Sequence, residues 1–186
     1  MNIPNQLTIA RFWMAGMLLI CLSLESTVLY VIALVIFIVA MATDALDGWL
    51  ARNKYGCTTF GKLMDPLADK VLVAVAFLGL AEQGLYAIWM VALIIAREFM
   101  VTGLRLLLVE KQVVLAADRW GKVKTVMQMG AILLGLIGLV GDALGWFSAG
   151  AALFFWIGLV TVLITLYSGA LYFYRNRAYI NPKETA

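Results

Sequence analysis

Six long apolar segments, separated by short connections, constrain this chain more than any other feature. They cover approximately residues 12–24, 27–42, 71–81, 86–109, 125–140 and 146–174. Hydrophobic residues make up 64% of the 186 residues and charged residues only 13%, which is too little polar surface to cover a soluble domain. We predict an all-α, polytopic membrane helix bundle with six transmembrane helices and a short N-terminal interfacial segment at residues 1–11. No linker or low-complexity tract is present, so residues 1–186 are predicted to form a single membrane domain.

A signal peptide is the competing interpretation of the first apolar segment, because a single basic residue, Arg11, precedes a short apolar run. The residues that follow this run, Leu22 to Glu25, make a poor small-residue cleavage site. The segment is therefore predicted to be the first membrane span.

The absence of histidine narrows the chemistry available to this chain. The commonest general base and transition-metal ligand is missing, so acid–base chemistry falls to Asp, Glu, Lys, Tyr or Cys. The two cysteines, Cys21 and Cys57, are too few for a metal cluster or a disulfide framework, and we interpret both as structural.

Four aspartates lie at helical spacing on both sides of a short polar turn. They are Asp44, Asp47, Asp65 and Asp69. Spacings of three and four residues place the members of each pair on one face of a helix, and the helix ends tolerate ionised carboxylates better than the bilayer centre. Hard divalent cations take carboxylate oxygens as ligands, often together with substrate phosphates. Facing aspartate pairs therefore predict a metal site, whereas solvated loop charges would have no reason to repeat a helical spacing twice.

Small residues lie one helical turn from these acids, at Gly48, Ala51 and Gly61. Backbone without bulky side chains lets a large ligand approach closely. Arg52 adds a permanently charged fork that suits a pair of phosphate oxygens. The stretch thus indicates a phosphate-bearing ligand beside the metal.

The same stretch has the pattern DxxDGxxAR, eight residues, then GxxxDxxxD, with every fixed position present. In this it resembles the CDP-alcohol phosphatidyltransferases of phospholipid synthesis. The resemblance implies a transferase that binds CDP-diacylglycerol, uses Mg²⁺ or Mn²⁺ with two ions expected, and passes the phosphatidyl group to an alcohol with release of CMP. It also implies a homodimer in membrane lipid and no nucleic-acid partner.

Carried over position by position, the resemblance makes the four aspartates metal ligands. Asp69 would also be the catalytic general base that takes the proton of the acceptor hydroxyl, a role in which metal and neighbouring groups must assist a weak base. Contacts with CDP-diacylglycerol are expected from the small and polar positions of the motif, namely Gly48, Ala51, Arg52, Thr58 and Gly61.

Three further stretches resemble the members of this family whose acceptor is sn-glycerol 3-phosphate and whose product is phosphatidylglycerophosphate. They are residues 2–11, 95–105 and 121–125. A dianionic acceptor needs cations beyond those that bind the nucleotide. We expect the acceptor phosphate to be bound by Arg97, Arg105, Lys122 and Lys124. The alternatives are membrane-surface anchoring for the two lysines and a structural ion pair between Arg97 and Glu98.

Basic residues are distributed unevenly among the connections. All 14 Lys and Arg lie before residue 12, in residues 52–70, in residues 105–124, in the C-terminal tail, or at Arg97. The opposite turns carry only Glu25, Glu82 and Asp142 as charges. By the positive-inside rule, we expect a bacterial inner-membrane protein whose termini and aspartate site face the cytoplasm.

Two other functions fit parts of the pattern. A cation transporter is the main non-enzyme alternative, because buried aspartates also mark ion paths, but it predicts acids near the middle of the membrane and polar access from both sides. The second alternative keeps the enzyme class and changes the acceptor to inositol phosphate, serine or another alcohol.

The fifth apolar segment carries four glycines, Gly130, Gly135, Gly138 and Gly141. Their spacings suit close helix contact in lipid, either within the chain or between subunits. We therefore predict that these glycines serve packing and not chemistry.

Overall fold

The computed structural model describes residues 3–50, 59–110, 119–146 and 150–177. Regular structure in these ranges is helical, without a strand. Six helices are present: α1 (Ile3–Ser23), α2 (Thr27–Leu50), α3 (Thr59–Glu82), α4 (Ile88–Glu110), α5 (Arg119–Ala143) and α6 (Ala151–Arg175). The predicted all-α class is confirmed.

Four of these helices are long and apolar enough to cross a membrane. The spans are Gln6–Ser23, Thr27–Asp44, Arg119–Ala143 and Ala152–Arg175. Helices α3 and α4 have 24 and 23 residues, a similar length, but both contain charged residues that break their apolar stretches. The chain is thus an integral membrane protein, and the count of six spans stays a prediction.

Several helix boundaries differ from those predicted. From Ile3 onward, the expected interfacial segment is continuous with α1 and is not a separate element, because a proline in the first turn of a helix does not interrupt it. Helix α5 begins at Arg119, so Lys122 and Lys124 lie in its first turns and not in a connection. Helix α6 begins at Ala151, five residues after the predicted start at Trp146.

The outer surface of the bundle is rich in large apolar side chains. Trp13, Ile88 and Trp146 are each about three-quarters exposed. Polar side chains such as Arg11 and Gln128 are buried among the helices. This arrangement suits a bundle whose outer surface contacts lipid, since charged groups in a membrane protein face the bundle interior.

Helix packing brings the charged helix ends together. Helix α1 packs against α2 and α3, α5 packs against α2, α3 and α6, and α4 packs against α3 and α6. The main core includes Phe37, Phe77 and Leu136, while a smaller core between α4 and α6 consists of Val101, Leu104, Leu108 and Tyr172. The polar ends of α2 to α5 therefore surround a common space.

Two of the glycines of α5 allow close helix contact within the chain. A Cβ at Gly135 would lie 2.9 Å from Leu80, and one at Gly138 would lie 2.3 Å from the ring of Phe154. A Cβ at Gly130 would have no neighbour within 4 Å. The prediction of close helix packing within the chain is therefore confirmed for Gly135 and Gly138. Gly130 makes no such contact with the residues that the structure describes.

We expect Gly138→Ala to lower the stability of the bundle by about 1–3 kcal/mol, because the added methyl group overlaps a buried phenylalanine. Thermal unfolding in detergent measures the change. Gly130→Ala is the control on the same helix, and it should leave the melting temperature unchanged or raise it slightly, since alanine favours a helix. Equal melting temperatures for the two variants would contradict the close contact.

Candidate active site

Two of the four predicted aspartates are held together by an arginine from the first helix. The Nη1 atom of Arg11 lies 3.3 Å from Oδ1 of Asp44 on α2 and 2.5 Å from Oδ1 of Asp69 on α3. The side chain of Arg11 is fully buried, whereas those of Asp44 and Asp69 are 46% and 38% exposed. The carboxylates thus face an open space from opposite helices and share one positive charge behind them.

Arg11 was not among the residues predicted for the site. It is the only charged side chain in the first 24 residues, and an isolated arginine at the start of an apolar helix indicates a buried partner, since lipid does not accept it. Only the packing of α1 against both α2 and α3 identifies that partner as the aspartate pair.

The other residues of the central motif are described less fully. The backbones of Asp47 and Gly48 lie in α2 and those of Gly61 and Asp65 lie in α3, while their side-chain positions are outside the described part of the structure. Ala51, Arg52 and Thr58 lie outside the described residues altogether. Their predicted contacts with metal and CDP-diacylglycerol stay predictions.

A cavity of about 410 Å³ opens beside Asp44 and Asp69. It is lined by residues from α2 to α6, including all four cations predicted for the acceptor phosphate and a fifth that was not predicted. These are Lys70, Arg97, Arg105, Lys122 and Lys124. Asp44, Asp69 and Glu98 are the acidic residues of its described lining, so positive side chains outnumber negative ones by five to three. The cavity can therefore accept a ligand with more than one negative charge.

Glu98 organises the basic wall of this cavity. Its Oε1 atom accepts hydrogen bonds from Nη1 of Arg97 at 3.0 Å, Nζ of Lys124 at 2.6 Å and Nε2 of Gln128 at 3.4 Å. Gln128 also donates to Thr165 on α6 at 3.2 Å. Arg97 and Lys124 are thus positioned cations that share one carboxylate, and the ion pair between Arg97 and Glu98 that was weighed as an alternative exists beside the cavity.

Arg97 crosses from α4 to α6 at a point where a glycine leaves room. Its Nη2 atom donates to Oγ of Ser168 at 3.0 Å. A Cβ at Gly169 would lie 2.9 Å from Cγ of Arg97, so a larger residue would displace the arginine. Sequence reasoning missed the roles of Ser168 and Gly169 because nothing in the spacing along the chain links them to α4.

The other three cations have different environments. Lys70 follows Asp69 directly and donates a hydrogen bond to Thr102, which in turn donates to the carbonyl of Glu98 at 2.7 Å. Arg105 is exposed and its guanidinium lies 5.9 Å from the ring centre of Tyr172. Lys122 is exposed. Arg105 and Lys122 are therefore the more solvent-accessible members of the group.

The donor set at Asp44 and Asp69 suits a hard divalent cation. Two carboxylates from different helices already surround one positive charge, and oxygen ligands of this type are preferred by Mg²⁺ and Mn²⁺. No group of three metal-binding side chains occurs among those that the structure describes. Asp47 and Asp65, one turn from Asp44 and Asp69 on the same helices, are the residues predicted to complete the set.

An integral membrane helix bundle with acidic helix ends beside a cationic cavity is the arrangement expected of a membrane enzyme that acts on phosphorylated substrates. The family model for CDP-alcohol phosphatidyltransferase matches residues 1–167, and the chain belongs to this family. The resemblance drawn from the central motif is thereby confirmed. Enzymes of this family are generally dependent on a divalent metal.

Several curated relatives that resemble the chain are named CDP-diacylglycerol–glycerol-3-phosphate 3-phosphatidyltransferase. The protein of Bacillus subtilis strain 168 is 38% identical over 188 residues, covering 94% of this chain and 95% of the relative. That of Rickettsia felis is 33% identical over 167 residues, covering 90% and 92%. That of Yersinia enterocolitica is 38% identical over 143 residues, covering 74% and 77%.

Proposed function

We propose that this chain transfers the phosphatidyl group of CDP-diacylglycerol to sn-glycerol 3-phosphate, forming phosphatidylglycerophosphate and CMP. Its relatives carry the name of this activity. The observation in the chain itself that carries the proposal is that Asp44 and Asp69 line the same cavity as five cations. One end suits a reacting hydroxyl beside a metal site, and the other suits a phosphate.

The acceptor binds with its phosphate toward Arg97, Arg105, Lys122 and Lys124. Glu98 offsets part of their charge and holds Arg97 and Lys124 in place, so less side-chain freedom is lost when the ligand arrives. A dianion is the ligand that balances the remaining positive charge. Serine has no phosphate and would leave these cations without a partner at the edge of the membrane.

Asp69 takes the proton of the acceptor hydroxyl as the hydroxyl oxygen forms a bond to the diacylglycerol-bearing phosphorus of CDP-diacylglycerol. The bond between that phosphorus and the bridging oxygen breaks, and CMP leaves with the electron pair. Arg11 keeps Asp69 and Asp44 oriented toward the cavity. Orientation of this kind is the main contribution that a protein makes to phosphoryl transfer.

Asp44, Asp47, Asp65 and Asp69 would hold a pair of divalent ions, Mg²⁺ or Mn²⁺, which would neutralise charge on the pyrophosphate. Arg52 and Thr58 bind the CDP group, and the small residues Gly48, Ala51 and Gly61 leave space for it. These roles rest on the family pattern in residues 44–69.

The chain forms one membrane domain in which all six helices span the bilayer. Helices α3 and α4 are about 35 Å long at 1.5 Å per residue, which is sufficient for a span. Their charged residues Asp69, Lys70, Arg97, Glu98 and Arg105 line the cavity. The concentration of basic residues around the cavity orients it and both termini toward the cytoplasm, in the inner membrane of a bacterium. Homodimer formation is proposed from the family resemblance alone.

The test is a CMP-release assay with purified protein, CDP-diacylglycerol in detergent micelles and one acceptor at a time. We expect CMP and phosphatidylglycerophosphate with sn-glycerol 3-phosphate, at a rate at least about a hundredfold above that with serine, because a site built for a phosphate rejects an acceptor that lacks it. A chelator should abolish the rate, and added Mg²⁺ or Mn²⁺ should restore it.

Different outcomes of this assay identify the alternatives. A higher rate with serine or inositol phosphate would keep the family chemistry and overturn the acceptor. Absence of metal-dependent CMP release with every acceptor, in protein that unfolds cooperatively, would favour the transporter.

A further inference from the structure

Tyr172 lines the cavity, and its hydroxyl group is buried without a hydrogen-bond partner in the described part of the chain. Tyr172 is in the last turns of α6 and is only 6% exposed. Its hydroxyl is one of the few buried polar side-chain atoms in the described residues that have no partner. The residue also lines the cavity that contains Asp69 and the five cations.

The ring of Tyr172 does not need its hydroxyl for packing. The ring belongs to the small apolar core with Val101, Leu104 and Leu108, and its face contacts the guanidinium of Arg105. Phenylalanine would make the same contacts. Burying an unpaired hydroxyl destabilises a protein, so the hydroxyl is expected to have a partner that binds from the cavity.

The surroundings identify the chemistry of that partner. The cations of the cavity and the tyrosine hydroxyl are all hydrogen-bond donors, and Glu98 is already engaged with Arg97, Lys124 and Gln128. A ligand that accepts hydrogen bonds from several donors at once and carries negative charge satisfies the whole set. A phosphate group is such a ligand.

We propose that Tyr172 is a specificity-determining residue whose hydroxyl donates a hydrogen bond to the phosphate group of the acceptor. The proposal rests on the proposed function, and it adds α6 to the acceptor site, whose predicted cations lie on α4 and α5. The hydroxyl contributes to binding the acceptor and not to the transfer step, because Asp69 and the central motif supply the reacting groups.

Tyr172→Phe is the variant that tests this role, because it removes one oxygen and keeps the ring. We expect the KM for sn-glycerol 3-phosphate to rise about 10- to 100-fold, as for a lost hydrogen bond to a charged group. The KM for CDP-diacylglycerol and kcat should change little. The melting temperature without substrates should stay the same or rise, since the unpaired hydroxyl is gone.

Inorganic phosphate serves as a second probe that does not require turnover. We expect it to inhibit the wild type in competition with the acceptor, and to raise the wild-type melting temperature more than that of Tyr172→Phe. The control is Tyr167→Phe, on the same helix with a half-exposed ring, which should match the wild type in every measurement.

The results separate this inference from the proposed function. An unchanged acceptor KM together with unchanged stabilisation by phosphate in Tyr172→Phe would overturn the inference. A lower melting temperature together with equal rises in the KM values of both substrates would also overturn it, because it would indicate a structural role. A raised acceptor KM with unchanged phosphate inhibition would assign the hydroxyl to the glycerol part and overturn the phosphate contact. A different result would be a wild type that does not use sn-glycerol 3-phosphate as acceptor but binds inorganic phosphate more strongly than Tyr172→Phe does. In that case the proposed function fails, and the phosphate site at Tyr172 is supported.

Discussion

Replacement of Asp69 by asparagine is expected to lower turnover by a factor of about 10² to 10⁴, the usual contribution of a positioned general base. Asparagine has nearly the same shape, and its amide oxygen can still accept the hydrogen bond that Arg11 donates to Asp69. The loss therefore falls on the proton transfer and on metal binding, and less on the arrangement of the helices. Affinity for CDP-diacylglycerol should be largely kept.

Two measurements check this expectation. CMP release gives the rate, and equilibrium binding of CDP-diacylglycerol shows whether the site still forms. Asp142→Asn is the matched control, because Asp142 is an exposed acid at the opposite end of α5 and should have no effect. An Asp69→Asn variant that keeps more than about a tenth of the wild-type rate would remove Asp69 from the role of base.

Replacement of Arg11 by methionine is expected to lower both activity and stability. Methionine keeps the length of the side chain and fits an apolar surrounding, but it leaves Asp44 and Asp69 close together without their shared cation. Misplacement of reacting groups by about 1 Å can cost about a hundredfold in rate, and we expect a loss of at least this size in CMP release.

The stability loss should lie between two limits. An exposed ion pair contributes about 0–1 kcal/mol, while breaking a buried one costs about 3–5 kcal/mol. The Arg11 side chain is fully buried, but both carboxylates are more than one-third exposed, so solvent partly screens the interaction. Thermal unfolding of the variant in detergent measures the effect.

The variant Arg11→Lys separates the effect of the positive charge at this position from the effect of the planar guanidinium group. Lysine keeps the positive charge but has no planar fork, so it should restore more of the melting temperature than of the rate. Arg177→Ala is the control, because Arg177 is an exposed arginine that contacts the ring of Tyr174 and lies far along the chain from the aspartates. A methionine variant with the wild-type melting temperature and rate would show that Arg11 does not organise the aspartate pair.

The site divides its charges between two regions. Arg11 forms ion pairs with Asp44 and Asp69 and stabilises the acidic region. Glu98 forms ion pairs with Arg97 and Lys124 and stabilises the basic region. Each region thus contains one residue of opposite charge, and that residue forms ion pairs with two of the charged side chains there. This division explains why a large number of ionised groups can lie close together in a membrane protein, where unpaired charges are costly.

Much of the site could be predicted from local patterns. The helical spacing of Asp44 and Asp69 with their neighbours indicated acids on two helix faces, and the structure brings these two carboxylates to one arginine. The four cations assigned to a phosphate from the position of the basic residues all line the cavity. Spacing along one helix was sufficient for the aspartates, because residues three or four apart share a face. The cations were assigned because the acceptor that the resemblance implies is a dianion.

The roles of Arg11, Glu98 and Tyr172 depended on contacts between helices that are distant in the sequence. Arg11 lies 58 residues before Asp69, and Arg97 donates to a serine 71 residues further along the chain. No periodicity of a single helix encodes such pairs, because they depend on which helices pack together and at what rotation.

By itself, the sequence determined a helical membrane protein whose central motif resembles that of the CDP-alcohol phosphatidyltransferases, since apolar length and motif spacing are properties of short continuous segments. Only the tertiary structure decided which arginine joins the aspartates, which carboxylate holds the cations, and that α6 closes the cavity. The physical reason is that a buried charge or hydroxyl acquires its partner from another helix, and that partner is defined only when the helices are packed.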